Sequence, residues 1–413
     1  MFTHSFTKKT ILPALIITVM FYACDSGKEP VVTDDATYHI NVPLKKGNTQ
    51  LPLSAVADSL LYIPLETQDD ALIGQIDKLI PLKDHLIVVD KEKSRSIYFY
   101  DLQGRLLRKI KRLGRSAQEY ISLTDAAADS ENERIFIWDS HGQKILQYAF
   151  DGTFITSTPF PCSVHSIAYT GNNTLVGYCG YTQNTQFLKQ SQYPNLLFLD
   201  LQSGDIHPVC YFEEGLAASN IMGVINNFSI DPEGGATILM PLNNIVYRAE
   251  GDEIYPKYYF DFGEEQHKML QQYIDELLNY PTDVYRSVEE FNEASACFIM
   301  NFLATRDVVY IFFKKSQTYY YGFYYPKNNQ FIEASIVDEN SNGSRIPMTN
   351  DLDGCTLPFM PIAADKENHF YYTIDPYLLD YFKDTEDPKL LHLMQQVTPN
   401  DNPIVVKVSM KME

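Results

Sequence analysis

The fold is decided by the stretch from residue 86 to residue 110. Leu86-Ile87-Val88-Val89-Asp90 is followed by a polar turn at 91–95, then Ser96-Ile97-Tyr98-Phe99-Tyr100, the turn Asp101-Leu102-Gln103-Gly104, and a third run at 105–110. The runs are short, rich in β-branched and aromatic residues, and bounded by turn formers, the pattern of strands joined in hairpins. The same order returns in Arg134-Ile135-Phe136-Ile137-Trp138-Asp139, a turn at 140–144, residues 145–150, Asp151-Gly152 and residues 153–158. Asp90 and Asp139 lie 49 residues apart, and Asp101 and Asp151 lie 50 apart. Asp caps its own turn and Gly accepts positive φ, so the repeat has a physical basis. A hairpin unit recurring at this spacing predicts a propeller or a solenoid.

Weaker copies follow. Residues 174–178 and 195–200, with the turn Gln202-Ser203-Gly204-Asp205, make a third unit. Residues 228–231, 236–240, 244–248 and 257–262 make a fourth, and 308–313, 318–325 and 331–337 a fifth. Residues 359–363, 369–374 and 403–410 supply a sixth; in the last run Ile404, Val406, Val408 and Met410 alternate with more polar positions, as in a half-buried strand. Helical periodicity is confined to 264–278 and to a short segment opened by Asp387-Pro388, both read as insertions. A lone blade cannot bury both its faces, whereas stacked blades bury them on each other and a closed ring has no exposed end. The expectation is an all-β, six-bladed β-propeller with minor helical insertions, spanning residues 38–413, with seven blades as the alternative count. Its early strand region, at 38–44 or 60–64, should complete the sheet that holds the C-terminal run. The run Thr318-Tyr319-Tyr320-Tyr321-Gly322-Phe323-Tyr324-Tyr325 places aromatics on both faces of a strand, which a strand between two blades needs.

The 413 residues carry 33 Lys+Arg against 53 Asp+Glu, a net charge of −20. Such a charge repels phosphate backbones and argues against nucleic acid as a partner. At the N-terminus Lys8 and Lys9 precede an apolar stretch at 11–23 that ends at Cys24. Thirteen residues are too few to span a bilayer, which takes about 20, so residues 1–23 read as a secretory signal. Phe21-Tyr22-Ala23-Cys24 resembles a bacterial lipobox, which makes Cys24 the lipid-attachment residue; a non-lipidated signal cut near Ala23, or a tight membrane anchor, is the plainer alternative. Residues 24–37 are polar and aperiodic and read as a flexible tether. An acylated Cys24 places the protein in the cell envelope, anchored to a membrane and most naturally to the outer one.

Chemistry is mostly missing. Neither H-E-x-x-H nor G-x-x-x-x-G-K-[ST] nor G-x-G-x-x-G occurs, and Gly114-Arg115-Ser116-Ala117-Gln118 misses a nucleophile elbow at its last position. Asp351-Leu352-Asp353-Gly354 is a fragment of a calcium loop and reads as a turn. Cysteines 162, 179, 210, 297 and 355 show no C-x-x-C spacing, which argues against zinc and thioredoxin-type chemistry; small buried hydrophobes is their reading, with a Cys162–Cys179 disulfide permitted in an oxidising compartment. No catalytic set, metal site or cofactor is expected.

Four segments resemble the six-bladed β-propeller lipoproteins of Gram-negative bacteria, loosely related to NHL-repeat propellers. Leu53-Ser54-Ala55-Val56-Ala57-Asp58, Tyr62-Ile63-Pro64-Leu65-Glu66-Thr67 and Leu72-Ile73-Gly74 look like that family's entry motif, and Asp101-Leu102-Gln103-Gly104-Arg105 like its first blade turn. Gly114-Arg115-Ser116-Ala117-Gln118-Glu119-Tyr120 resembles its G-[KR]-G-P-G-E-Y loop, with Ser116, Ala117 and Gln118 in place of the usual glycines and proline. Asp401-Asn402-Pro403-Ile404-Val405-Val406 looks like its closing strand. The resemblance implies a secreted, lipid-anchored propeller.

The function expected is that of a binding module for a protein, peptide or glycan ligand, one of them an outer-membrane partner. Its ligand contacts are placed on Arg115, Glu119 and Tyr120, in a loop between blades where propellers gather such contacts. The alternative is a hydrolase or lyase using carboxylates around the central funnel.

Overall fold

The computed structural model describes residues 35–44, 51–188, 192–217, 223–279, 294–316, 318–336, 348–354, 359–382 and 386–412. The signal segment and Cys24 lie outside them, as does Cys355.

Five four-stranded antiparallel sheets and one sheet with a fifth, parallel strand form a six-bladed propeller. Blade 1 runs outward through Lys78–Pro81, Leu86–Asp90, Ser96–Tyr100 and Leu106–Ile110. Blade 2 follows with Asp125–Asp129, Arg134–Asp139, Lys144–Ala149 and Phe154–Pro159. The innermost strands of the other four are Ser166–Gly171, Phe228–Ile230, Cys297–Ala304 and Ala363–Ala364. Innermost strands of different blades touch one another around a common axis.

Closure is antiparallel and exact in register over most of its length. Ala57–Pro64 is the outer strand of blade 6 and pairs with Ile404–Met410, Ile404 opposite Pro64. The second of the two proposed latch regions is therefore the latch. The first, Tyr38–Asn41, pairs parallel with Glu253–Asp261 and adds a fifth strand to blade 4. Ala36, just before it, is buried against blades 3 and 4, so packing begins inside the segment read as tether.

Asn402 rivets the closure. Its side chain donates to Glu66 O (2.8 Å) and Ala71 O (3.1 Å) and accepts from Ile73 N (2.8 Å), while its own N–H reaches Thr67 Oγ1 at 2.8 Å. Two of the segments that resemble the propeller lipoproteins, the entry motif and the closing strand, meet at this buried amide.

Energetically the molecule is a ring of cores between blades. Ile87, Phe99, Ile135 and Leu146 share the core of blades 1 and 2, while Trp138, Phe160, Leu175 and Leu197 share that of blades 2 and 3. Val405 and Ile63 pack on Leu86 and Tyr98 where blade 6 meets blade 1. Each such side chain contributes roughly 1.5–3 kcal/mol when fully buried. The aromatic strand Thr318–Tyr325 is interior packing: Tyr321 and Phe323 turn to blade 6, Tyr320 and Tyr324 to blade 4. Phe313 and Tyr320 stack at 4.8 Å across the sheet.

Both expected helices form. Glu264–Asn279 lays Leu270, Tyr273 and Leu277 over Phe298 at the edge of blade 5. Pro388–Gln396 is capped by Asp387, whose carboxylate accepts from Lys389 N and Leu390 N.

Candidate functional site

Strand direction sorts the connections into two sets. Turns between first and second strands, and between third and fourth, are tight. Asp101 accepts from Gln103 N and Arg105 N, Asp151 from Thr153 N, and Asp200 from Gln202 N and Ser203 N. In each of these turns a glycine, Gly104, Gly152 or Gly204, takes a φ near +80°. The other set joins second to third strands and one blade to the next. It includes every long connection described and both helices. Leu72, Ile121, Ile225 and Met360 are large exposed apolar residues in its blade-to-blade members, a few residues before the innermost strands.

The axis between these sides is narrow. A cavity of about 80 Å³ runs along it, lined by Ala127, Ala128, Ala168, Ala236, Ala363 and Ala364 among others. Small-molecule pockets are usually about 300–1,000 Å³, so this cavity is too small for such a ligand. No described carboxylate lines it. At its long-loop end Lys78 spends its three protons on Asp125 Oδ2 (2.9 Å), Ala126 O (2.8 Å) and Ile167 O (3.1 Å), tying the innermost strands of blades 1, 2 and 3. Asp125 also accepts from Ile167 N and lies 3.4 Å from Lys91 Nζ. Burial pushes the Asp125 carboxyl up, but Lys78 and Lys91 overcome it and hold it below the usual range. Burial, with Lys91 nearby, lowers Lys78 against the pull of Asp125. This is a charged clamp in which Lys78 and Lys91 balance Asp125 inside the fold, although the buried Asp125 Oδ1 accepts no hydrogen bond.

The repeated aspartates have the same explanation. Asp90 accepts from Gly74 N, Gln75 N, Lys93 N and Ser94 N. Asp139, its counterpart in blade 2, accepts from Ile121 N, Ser122 N and Gly142 N and from Ser122 Oγ. Each buried carboxylate thus fastens the incoming blade connection to the turn that follows its own strand. Asp351 and Asp353, from the calcium-like fragment, accept from Ser54 and from Tyr62 and Asn350. Among the described residues no group of three or more His, Cys, Asp or Glu is placed to hold a metal.

The three residues singled out in the 111–124 connection play different parts. Tyr120 is fully buried between blades 1 and 2, and its hydroxyl donates to Arg95 O at 2.8 Å. Burial raises its pKa to about 12. Glu119 folds back inside the loop: its carboxylate accepts from Ser116 N and occupies the space a Cβ on Gly114 would need. Those contacts with the Ser116 N–H and hydroxyl hold its pKa down. Arg115 points into solvent.

Around Arg115 the structure adds residues that the search for motifs passed over. Lys93, Arg95, Lys111 and Arg112 are exposed on the same side. Residues 91–115 hold nine Lys or Arg against two acids, Glu92 and Asp101. Counting charge in windows, rather than seeking motifs, exposes this run.

The described cysteines all lie in the core. Cys162, Cys179, Cys210 and Cys297 are all buried, and no disulfide joins Cys162 to Cys179, although both sit in the core of blades 2 and 3. Burial raises Cys162 to about 11. No helix among the described residues is long and apolar enough to cross a membrane.

Fold and site together define a closed six-bladed propeller with one elaborated side. Residues 37–409 match the pattern of DUF4934, a domain of unknown function, and the chain belongs to that family. No curated protein matches it. Among solved structures it is similar to a Bacteroides fragilis NCTC 9343 protein described as exported, at 16% identity and a TM-score of 0.68, covering 90% of this chain and 99% of that one. It is also similar to a DUF4221 member from Bacteroides vulgatus ATCC 8482, at 11% identity and a TM-score of 0.49, over 86% and 97% of the two chains.

Proposed function

We propose that the chain is an exported, lipid-anchored cell-envelope protein whose propeller binds a protein, peptide or glycan partner across its long-loop side. The asymmetry of the ring carries this reading. One set of connections is made of self-capped turns, while the other holds the helices, the exposed Leu72, Ile121, Ile225 and Met360, and the exposed Arg115. Exposed large apolar side chains gathered on one face mark interaction surfaces. Export rests on the charged, short apolar segment before Cys24 and on likeness to a protein described as exported. A funnel hydrolase or lyase needs two facing carboxylates, and the axial cavity offers none among the described residues.

The test is chemical cross-linking in cells making the full chain, followed by membrane fractionation. Four chains are compared: wild type, Cys24→Ser, a long-loop variant with Leu72, Ile121, Ile225 and Met360 changed to Ser, and a turn-side variant with Leu107 and Ile155 changed to Ser. The expected result is that Cys24→Ser leaves the membrane fraction and that the long-loop variant alone loses its cross-linked partner. Equal cross-linking by both surface variants would overturn the assignment of the binding face, and a Cys24→Ser chain still bound to membranes would overturn the anchor.

A further inference from the structure

The sector of the long-loop side formed by blades 1 and 2 carries positive charge that the fold does not use. Lys93, Arg95, Lys111, Arg112 and Arg115 are exposed, and none forms an ion pair with a described residue. Several cations elsewhere are ion-paired: Arg134 is held by Asp129, Arg248 by Glu233 and Glu250, Lys257 by Asp231, and Lys327 by Asp307. Between residues 93 and 115 the only acid is Asp101, which is occupied by Arg105 in a turn of the other set. The buried carboxylates beneath the sector, Asp90 and Asp139, are taken up by backbone N–H groups. On a chain of net charge −20, an unneutralised cluster costs repulsion among its members and gains nothing for the fold.

The cluster is contiguous and has apolar neighbours. Tyr120 joins its two loops, donating from its hydroxyl to Arg95 O and from its N–H to Arg112 O. Gly74 packs so close to Lys93 that a Cβ there would lie 2.3 Å from the Lys93 Cβ, which sets the connection bearing Leu72 against the cations. Ile121 follows Tyr120 directly and is 38% exposed, and Leu72 is 51% exposed. The sector's aromatic rings, Tyr98, Tyr100, Tyr120 and Tyr148, are all buried.

We propose that this sector docks an acidic protein segment, carboxylate side chains meeting the guanidinium and ammonium groups and aliphatic side chains meeting Leu72 and Ile121. The proposal deepens the binding reading above and rests on the long-loop side being the binding face. Guanidinium groups pair with carboxylates in bidentate fashion, and complementary charge steers encounter. Single-stranded nucleic acid needs exposed rings on which to stack, and none is offered here. An anionic bilayer is a broad surface that would meet the acidic remainder of the chain, whereas a peptide strand meets only the patch. Exposed aliphatic residues beside the cations favour a peptide over an acidic glycan.

The test uses the full chain and a fluorescent octapeptide, Glu-Val-Asp-Leu repeated twice, with polygalacturonate, phosphatidylglycerol vesicles and an oligo-dT strand as competitors. The expected result is saturable peptide binding that weakens as salt rises from 0.1 M to 1 M, where the screening length falls from about 10 Å to about 3 Å. The triple variant Arg95→Asn, Arg112→Gln, Arg115→Gln should bind at least tenfold more weakly, and Ile121→Ser at least threefold, with unchanged melting by circular dichroism. Arg112→Lys should keep most of the binding. Equal binding by wild type and the triple variant, or no binding, would overturn the proposal. So would preference for polygalacturonate, vesicles or oligo-dT that Ile121→Ser leaves untouched. If the long-loop Ser variant loses its cross-linked partner in cells while the triple variant keeps it, the binding face stands and only the acidic-segment assignment falls.

Discussion

The two sets of connections in this ring are built from the same chain but answer to different demands. On the tight-turn side, Asp101, Asp151 and Asp200 bond to their own turns, and the glycines that follow sit at positive φ. Because blades twist, the turn between third and fourth strands leans on the outer strand of the preceding blade. Gly104 lies against Pro64, Gly152 against Arg108 and Gly204 against Thr158. On the long-loop side, Asp90 and Asp139 also serve the backbone, yet the exposed cations and aliphatics above them serve nothing inside the molecule. The lesson is that polarity alone does not mark a site. A carboxylate whose oxygens are already filled is scaffold, whichever side it is on.

The clamp at the axis is the sharpest challenge to this division, since Lys78 sits at the long-loop end but is read as scaffold. Lys78→Met should lower stability by up to about 3–5 kcal/mol, because it leaves only Lys91, 3.4 Å away, to balance the nearly inaccessible Asp125 carboxylate. Lys78→Met combined with Asp125→Leu should recover part of that loss, since the buried carboxylate charge is gone while Ala126 O, Ile167 O and Ile167 N lose their side-chain partners. Urea unfolding of the three chains measures it. A loss below about 1 kcal/mol in the single variant would mean that water replaces the ammonium and that the axis is open to ligand chemistry.

Within the tight-turn side, the comparison can be made between two glycines of nearly equal φ. Gly104 and Gly152 sit at +81° and +83°, but a Cβ at Gly104 would come within 2.1 Å of Pro64 O, whereas at Gly152 the nearest atom is Arg108 Cδ at 3.3 Å. Both pay the left-handed penalty of about 1 kcal/mol when changed to Ala. Only Gly104→Ala adds a backbone clash, for a total of about 3 kcal/mol. Equal losses by thermal or urea unfolding would show that the turn does not bear on the outer strand of blade 6 and that the blade contact is slack.

Legibility in the sequence followed side-chain size. The second and third strands of the blades bury large residues on both faces, and residues 86–90, 96–100, 134–139, 174–178, 318–325 and 369–374 were readable as strands to the residue. Most innermost strands were not. Asp125–Asp129 reads DAAAD and the inner strand of blade 6 is Ala363–Ala364, because six strands converging on an axis leave no room for bulk. Small residues carry no periodic apolar signal, so Ser166–Gly171 also escaped; Lys78–Pro81 and Cys297–Ala304 escaped although they carry large apolar residues. At the site, Arg115 was visible through its loop motif, and Glu119 and Tyr120 were visible as residue types but not as structural members of that loop. Their burial follows from how the loop closes on itself, with Gly114 N donating to Tyr120 O and Tyr120 N to Arg112 O. The asparagine that locks the ring, Asn402, lies within a recognised segment, but its bonds span more than 320 residues and nothing local announces them.

The smallest expected effect tests the division most finely. Arg95 has a φ of +50°, a conformation that costs a side-chain-bearing residue and suits Gly. Its carbonyl, not its side chain, makes the bond to Tyr120, so a substitution leaves that contact in place. Arg95→Gly should therefore leave stability unchanged or raise it by up to about 0.5 kcal/mol, the gain from a relaxed backbone being offset in part by the freer unfolded chain. Surface positions that stabilise when their side chain is removed are those where something other than folding holds the residue. The midpoint of urea unfolding reads the sign directly. A loss greater than about 0.5 kcal/mol would show that the Arg95 side chain supports the loops it joins, and the basic sector would then belong with the scaffold rather than with the binding face.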